Sequence, residues 1–124
     1  MIQVVLVEKD PSLAWLYREE LEEAGFLVCV HSKMEAALKE LRGRRGRVLV
    51  TDLASVDSPP EAWLSSVREV YDGPVVLLAG GTKAGSAWGG LPVVPKSSDI
   101  TPLIKSLRRQ MGELMWSQAT AGNC

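Results

Sequence analysis

Five short apolar runs, rich in β-branched residues, recur along the chain at residues 3–7, 26–30, 47–51, 74–78 and 92–94. Their length and composition suit buried strands better than helices. Between them, apolar residues return every three or four positions, the period of a helix with one face inward. Leu13, Leu16, Tyr17, Leu21 and Ala24 share such a face, as do Met34, Ala37, Leu38 and Leu41. Trp63, Val67, Val70 and Tyr71 form a third, and Leu103, Leu107, Met111 and Leu114 a fourth.

Start and stop signals fit this division. Asp10-Pro11 and Thr101-Pro102 each place a capping side chain before a proline suited to the first helical position. Ser32-Lys-Met-Glu35 and Ser58-Pro-Pro-Glu61 both match the capping box. Gly25 is a natural stop for the first helix. The order is therefore β-α-β-α-β-α-β-(α)-β-α. Continuously apolar strands alternating with amphipathic helices predict a parallel sheet covered on both faces. Residues 80–90, GGTKAGSAWGG, leave room for only one or two helical turns, so the fourth helix is expected to be shortened.

The 124 residues make one domain, with a core and no room for a second. Hydrophobic residues at 46% and charged residues at 23% are those of a globular chain. A formal net charge of −1 gives no overall attraction to nucleic acid, and no apolar run is long enough to span a bilayer. The first residues enter a strand pattern without the features of a signal peptide, which points to a cytoplasmic protein. Cys29 and Cys124 suggest neither a disulfide framework nor a metal site, and the lone His31 has no ligand cluster. The domain is expected over residues 1–116, with a frayed tail at 117–124.

In open α/β sheets, chemistry gathers at the carboxyl ends of the strands. The first run ends at Glu8 and Lys9, the third at Asp52, the fourth at Ala79 and the fifth at Lys96. The pieces VVLVEKDPSL, VLVTDL, PVVLLAG and PVVPKSS, in that order, resemble the receiver domain of two-component response regulators over residues 2–111. The resemblance implies a flavodoxin-like (βα)5 sandwich with strand order 2-1-3-4-5. It implies phosphorylation of Asp52, with Lys96 contacting the phosphoryl group, and protein partners such as a sensor kinase or a downstream signalling protein. It implies no enzyme; the charge and the short apolar runs already argue against direct nucleic-acid contact and against a membrane.

The departures from the family pattern fall at the site itself. An acidic pair that helps bind Mg²⁺ falls on Glu8 and Lys9, so Lys9 replaces the second acid. The Ser or Thr that contacts the phosphoryl group falls on Ala79, an aromatic of the fifth strand falls on Val93, and a proline after the lysine falls on Ser97. A lysine facing the cation at about 4 Å would oppose it by roughly 4 kcal/mol at an effective dielectric of about 20. That is about three decades of affinity, so no cofactor is expected beyond weakened Mg²⁺ at Glu8 and Asp52. Lys9 has two candidate positions: paired with Asp52 beside Lys96, or directed outward to a surface acid. The expected function is an atypical, or pseudo-, receiver acting through protein contacts with impaired Mg²⁺-dependent phosphorylation. The alternative is a working phosphoacceptor, and a third reading is a flavodoxin-like enzyme or ligand-binding protein using the same crevice.

Remaining features have plainer readings. GGTKAGS lacks the order of a phosphate loop and reads as a flexible connection, with Thr82 too late to replace a hydroxyl at position 79. The basic cluster at residues 42–47 reads as a solvated turn, and the acidic run at residues 19–23 as the wet face of the first helix. Trp15 and Trp88 are candidates for exposed contact residues, with partial core burial favoured for each.

Overall fold

The computed structural model describes residues 2–43, 46–56, 58–80 and 90–118, the side chains of 112–118 excepted. Its elements are β1 (Gln3–Val7), α1 (Pro11–Glu23), β2 (Leu27–His31), α2 (Met34–Leu41), β3 (Arg47–Asp52), a 3₁₀ turn (Leu53–Ser55), α3 (Pro60–Arg68), β4 (Val75–Ala79), β5 (Val93–Pro95) and α4 (Thr101–Gln118). All the strand pairings are parallel, and the sheet order is β2-β1-β3-β4-β5, as predicted. The shortened fourth helix, Thr82, Trp88, Arg44, Arg45 and residues 119–124 lie outside the described residues, as do the side chains of Leu114 and Trp116. The predicted tail boundary at 117 falls within the last turn of α4.

Strand alternation divides the core in two. Even-numbered Val4, Leu6, Val48, Val50, Val76 and Leu78 pack with Tyr17 and Leu21 of α1 and with Leu103, Leu107 and Met111 of α4. Odd-numbered Val5, Val7, Leu49, Val75 and Leu77 pack with Ala37 and Leu41 of α2 and with Trp63 and Val67 of α3. Each fully buried Leu or Val stabilises this arrangement by about 1.5–3 kcal/mol before entropy is counted. Trp15 does not join the core: it is 64% exposed on α1, against the partial burial expected for it.

Helix ends agree with the sequence at α1 and differ elsewhere. Asp10 Oδ1 accepts the Ser12 N–H at 2.8 Å and, less closely, the Leu13 N–H at 3.4 Å. At the other end Gly25 adopts φ +101°, the Gly25 N–H reaches Glu22 O and the Phe26 N–H reaches Leu21 O. That is a Schellman ending, closed by buried Phe26 and Leu21. The two capping boxes do not form: α2 is preceded by Lys33 and α3 by Pro59, neither with a side-chain cap. Thr101 is the first residue of α4 rather than its cap, and its N–H is taken by Asp99 Oδ1 at 3.0 Å. Cys29 is buried in β2, and Cys124 lies outside the described residues.

Candidate functional site

The carboxyl ends of β1, β3, β4 and β5 bring Glu8, Asp52, Ala79 and Lys96 into one neighbourhood. Val7 pairs in register with Thr51, so Glu8 and Asp52 stand side by side on adjacent strands. The Glu8 N–H still bonds His31 O, and the Lys96 N–H bonds Ala79 O at 2.8 Å, which extends the ladders past the strand ends. All three charged residues are even-numbered, and alternation aims them towards the α1 and α4 side of the sheet.

Lys96 holds the site together. Its Nζ donates to Asp52 Oδ2 at 2.7 Å and lies 2.6 Å from Glu8 Oε1, an ion pair off the hydrogen-bonding direction. The remaining oxygens are also engaged. Asp52 Oδ1 accepts the Ala54 N–H at 3.0 Å, capping the 3₁₀ turn, and Glu8 Oε2 accepts the Lys9 N–H at 3.1 Å. The Glu8 and Asp52 side chains are only 1% and 7% exposed, so solvent screens the cluster weakly.

Two carboxylates share one ammonium, and their proton affinities diverge. Burial pushes Glu8 up, and the Asp52 charge adds to this against the pull of Lys96. Burial also pushes on Asp52, but the Lys96 and Ala54 hydrogen bonds outweigh it and hold Asp52 below its ordinary value. Burial lowers Lys96, and its contacts with Asp52 and Glu8 more than restore it, leaving its pKa raised.

Lys9 takes the outward of its two expected positions. Odd-numbered and exposed, it lines a cleft of about 320 Å³ with Ser32, Lys33, Met34, Glu35 and Ser55. It forms no ion pair with Asp52, nor with another acid among the described residues. Ala79 is buried at the end of β4 and offers only a methyl group, and Val93 packs against the α2 and α3 side of the core.

Sequence reasoning missed Tyr17, which it placed simply on the inner face of α1. Tyr17 is 1% exposed, and its Oη accepts the N–H of Ser97, the residue after Lys96, at 3.2 Å. Burial raises its pKa; the Ser97 bond and Lys96 oppose the shift, while Glu8 and Asp52 reinforce it. The available signal was chemical: a buried tyrosine needs a partner for its hydroxyl.

Searched by sequence, the chain matches no protein-family model and no curated protein. Solved structures do match. A CheY-like response regulator receiver domain from Methylobacillus flagellatus is 23% identical with a TM-score of 0.72, covering 88% of this chain and 98% of the other. A chain from the complex of histidine kinase ThkA with response regulator TrrA is 21% identical with a TM-score of 0.73, covering 90% and 100%. A response regulator from Thermotoga maritima is 14% identical with a TM-score of 0.70, covering 90% and 98%. At these identities the likeness is one of architecture: the chain is built on the fold of the CheY-like response regulator receiver domains.

Proposed function

We propose that this chain is an atypical receiver domain of two-component signalling that acts through protein–protein contact, with Mg²⁺-dependent phosphorylation of Asp52 impaired. The observation that carries this reading is the engagement of all four oxygens of Glu8 and Asp52, two of them by Lys96. A carboxylate attacks a phosphoryl donor only when its own charge and the donor's are offset in the transition state. Lys96 supplies one positive charge to two carboxylates. Mg²⁺ seeks octahedral oxygen coordination and commonly takes one or two protein carboxylates; Glu8 and Asp52 offer two, but Lys96 already holds both, so its binding is weakened. Position 9 brings no acid, and no three metal-ligating side chains converge among the described residues.

Ala79 supports the same reading, because it has no hydroxyl to follow a phosphoryl group. Exposed Trp15 supports the protein-contact part, since tryptophan is favoured where partners meet. A histidine kinase stands in complex with one of the matched response regulators, and a kinase or a downstream signalling protein is the partner class proposed here.

Incubation with Mg²⁺ and acetyl phosphate, or with beryllofluoride, tests the proposal. Intact mass and amide spectra should stay those of the untreated protein. Stoichiometric modification of Asp52 with a conformational response would overturn it. That result would favour the second reading, a working phosphoacceptor, which rests on the convergence of Glu8, Asp52 and Lys96.

A further inference from the structure

We infer that Tyr17 is a positioning residue for Lys96, acting through the N–H of Ser97. The inference rests on reading Glu8, Asp52 and Lys96 as the working site. Its test uses no phosphorylation, so the two fail separately.

β5 is only three residues long and lies at the edge of the sheet, so its hydrogen bonds alone orient Lys96 poorly. Two successive backbone N–H groups correct this from different sides. The Lys96 N–H is fixed by β4 through Ala79 O, and the Ser97 N–H is fixed by α1 through Tyr17 Oη. Tyr17 makes a firm post, because its ring is buried in the core cluster with Leu6, Leu21 and Val94. Its helix is closed at both ends, by Asp10 and by the Gly25 turn.

The bond from Ser97 to Tyr17 needs an amide hydrogen. Proline at position 97 has none, so this tether exists only because the proline of the resembled pattern is replaced. Ser97 is held in turn: its Oγ accepts the Asp99 N–H at 3.1 Å, and Asp99 caps α4. The loop from Lys96 to α4 is thereby a chain of local bonds, anchored at one point to α1. Orienting the backbone on either side of the lysine Cα sets the direction in which its stem leaves. The stem here ends within 2.7 Å of both carboxylates.

Tyr17→Phe removes the acceptor and keeps the ring. Hydrogen exchange at the Ser97 amide should accelerate about tenfold, the scale of one lost hydrogen bond. The ¹H–¹⁵N signal of the Lys96 ammonium, slowed by its two carboxylate contacts, should broaden and exchange faster by a similar factor. Faster exchange at Ser97 with an unchanged Lys96 ammonium would reduce Tyr17 to a packing residue and overturn the inference, as would no change at either. Should Tyr17→Phe fail to fold, 3-fluorotyrosine at position 17 keeps the hydroxyl but accepts more weakly. It must move the Lys96 signal in the same direction by less, and an unmoved signal sinks the inference.

Discussion

The chemistry of the candidate site is decided by single atoms, and Lys96 Nζ decides most of it. It serves two nearly buried carboxylates that would otherwise face each other unpaired. Removing one partner from such a cluster costs far more than the intact pair contributes. Lys96→Met keeps the stem and deletes the charge, and should cost about 3 kcal/mol at pH 7 in urea unfolding. The sign of its pH dependence follows from the shifts. Asp52, lowered in the folded protein, contributes stability above its unfolded pKa and loses it as pH falls through the folded value. Glu8, raised, contributes below its unfolded pKa and loses that stability as pH rises through the folded value. In the variant neither acid has Lys96, both take protons more readily, and the gap to wild type should narrow between pH 7 and pH 4. A gap independent of pH would refute this. The identities of Glu8, Asp52 and Lys96 were legible because each ends an apolar run. The outward course of Lys9 was not settled by its place between two acids; odd–even alternation and room beside α2 decide it.

At the scale of elements, strands were read within one residue of their observed bounds, because short continuous apolar runs and β-branched composition reinforce each other. Helix starts were read less well. Ser32 and Ser58 have the right spacing for capping boxes, yet α2 and α3 begin after Lys33 and Pro59. A capping motif records which bonds a sequence could make, while the exit from the preceding strand or turn sets where the helix can begin. One link between elements escaped the pattern entirely. The Tyr71 hydroxyl, after α3, donates towards Arg47 O at 2.7 Å and Pro74 O at 2.8 Å, tying the starts of β3 and β4 together. Gly73 makes room for it: a methyl group there would stand 2.5 Å from Tyr71 Oη. Gly73→Ala should therefore displace the hydroxyl and cost about 1–3 kcal/mol, as overpacking does. A thermal melt indistinguishable from wild type would show that Tyr71 is not locked in this way. Burial also raises the Tyr71 pKa, so no ionised form should appear in ultraviolet titration until well into the alkaline range.

For the whole molecule, fold and chemistry rest on different residues, which is why one can persist while the other changes. The sheet and its two-sided core draw on some thirty positions spread along the chain, and no single one decides the architecture. The site depends on groups at four strand ends that only the complete sheet brings together. Two departures there are single side chains that contribute little bulk to the core: Lys9 is exposed, and Ala79, though buried, brings one methyl group at the end of its strand. Because Lys9 faces away, its repulsion of a cation is largely screened by water, and the sequence-based figure of about three decades overstates it. Under the proposed reading, the missing acid and the missing hydroxyl then account for most of the expected impairment. Lys9→Asp with Ala79→Ser supplies both groups once the short aspartate turns towards Asp52, where the long Lys9 stem runs out beside α2; serine adds only one oxygen where threonine would add a methyl as well. The paired change should leave the fold intact by circular dichroism. It should raise the rate of Asp52 modification by acetyl phosphate and Mg²⁺ at least about tenfold, roughly 1.4 kcal/mol of transition-state stabilisation. A folded double variant that gains nothing would show that neither position limits the reaction, leaving the hold of Lys96 on both carboxylates, which neither substitution touches, as the remaining constraint.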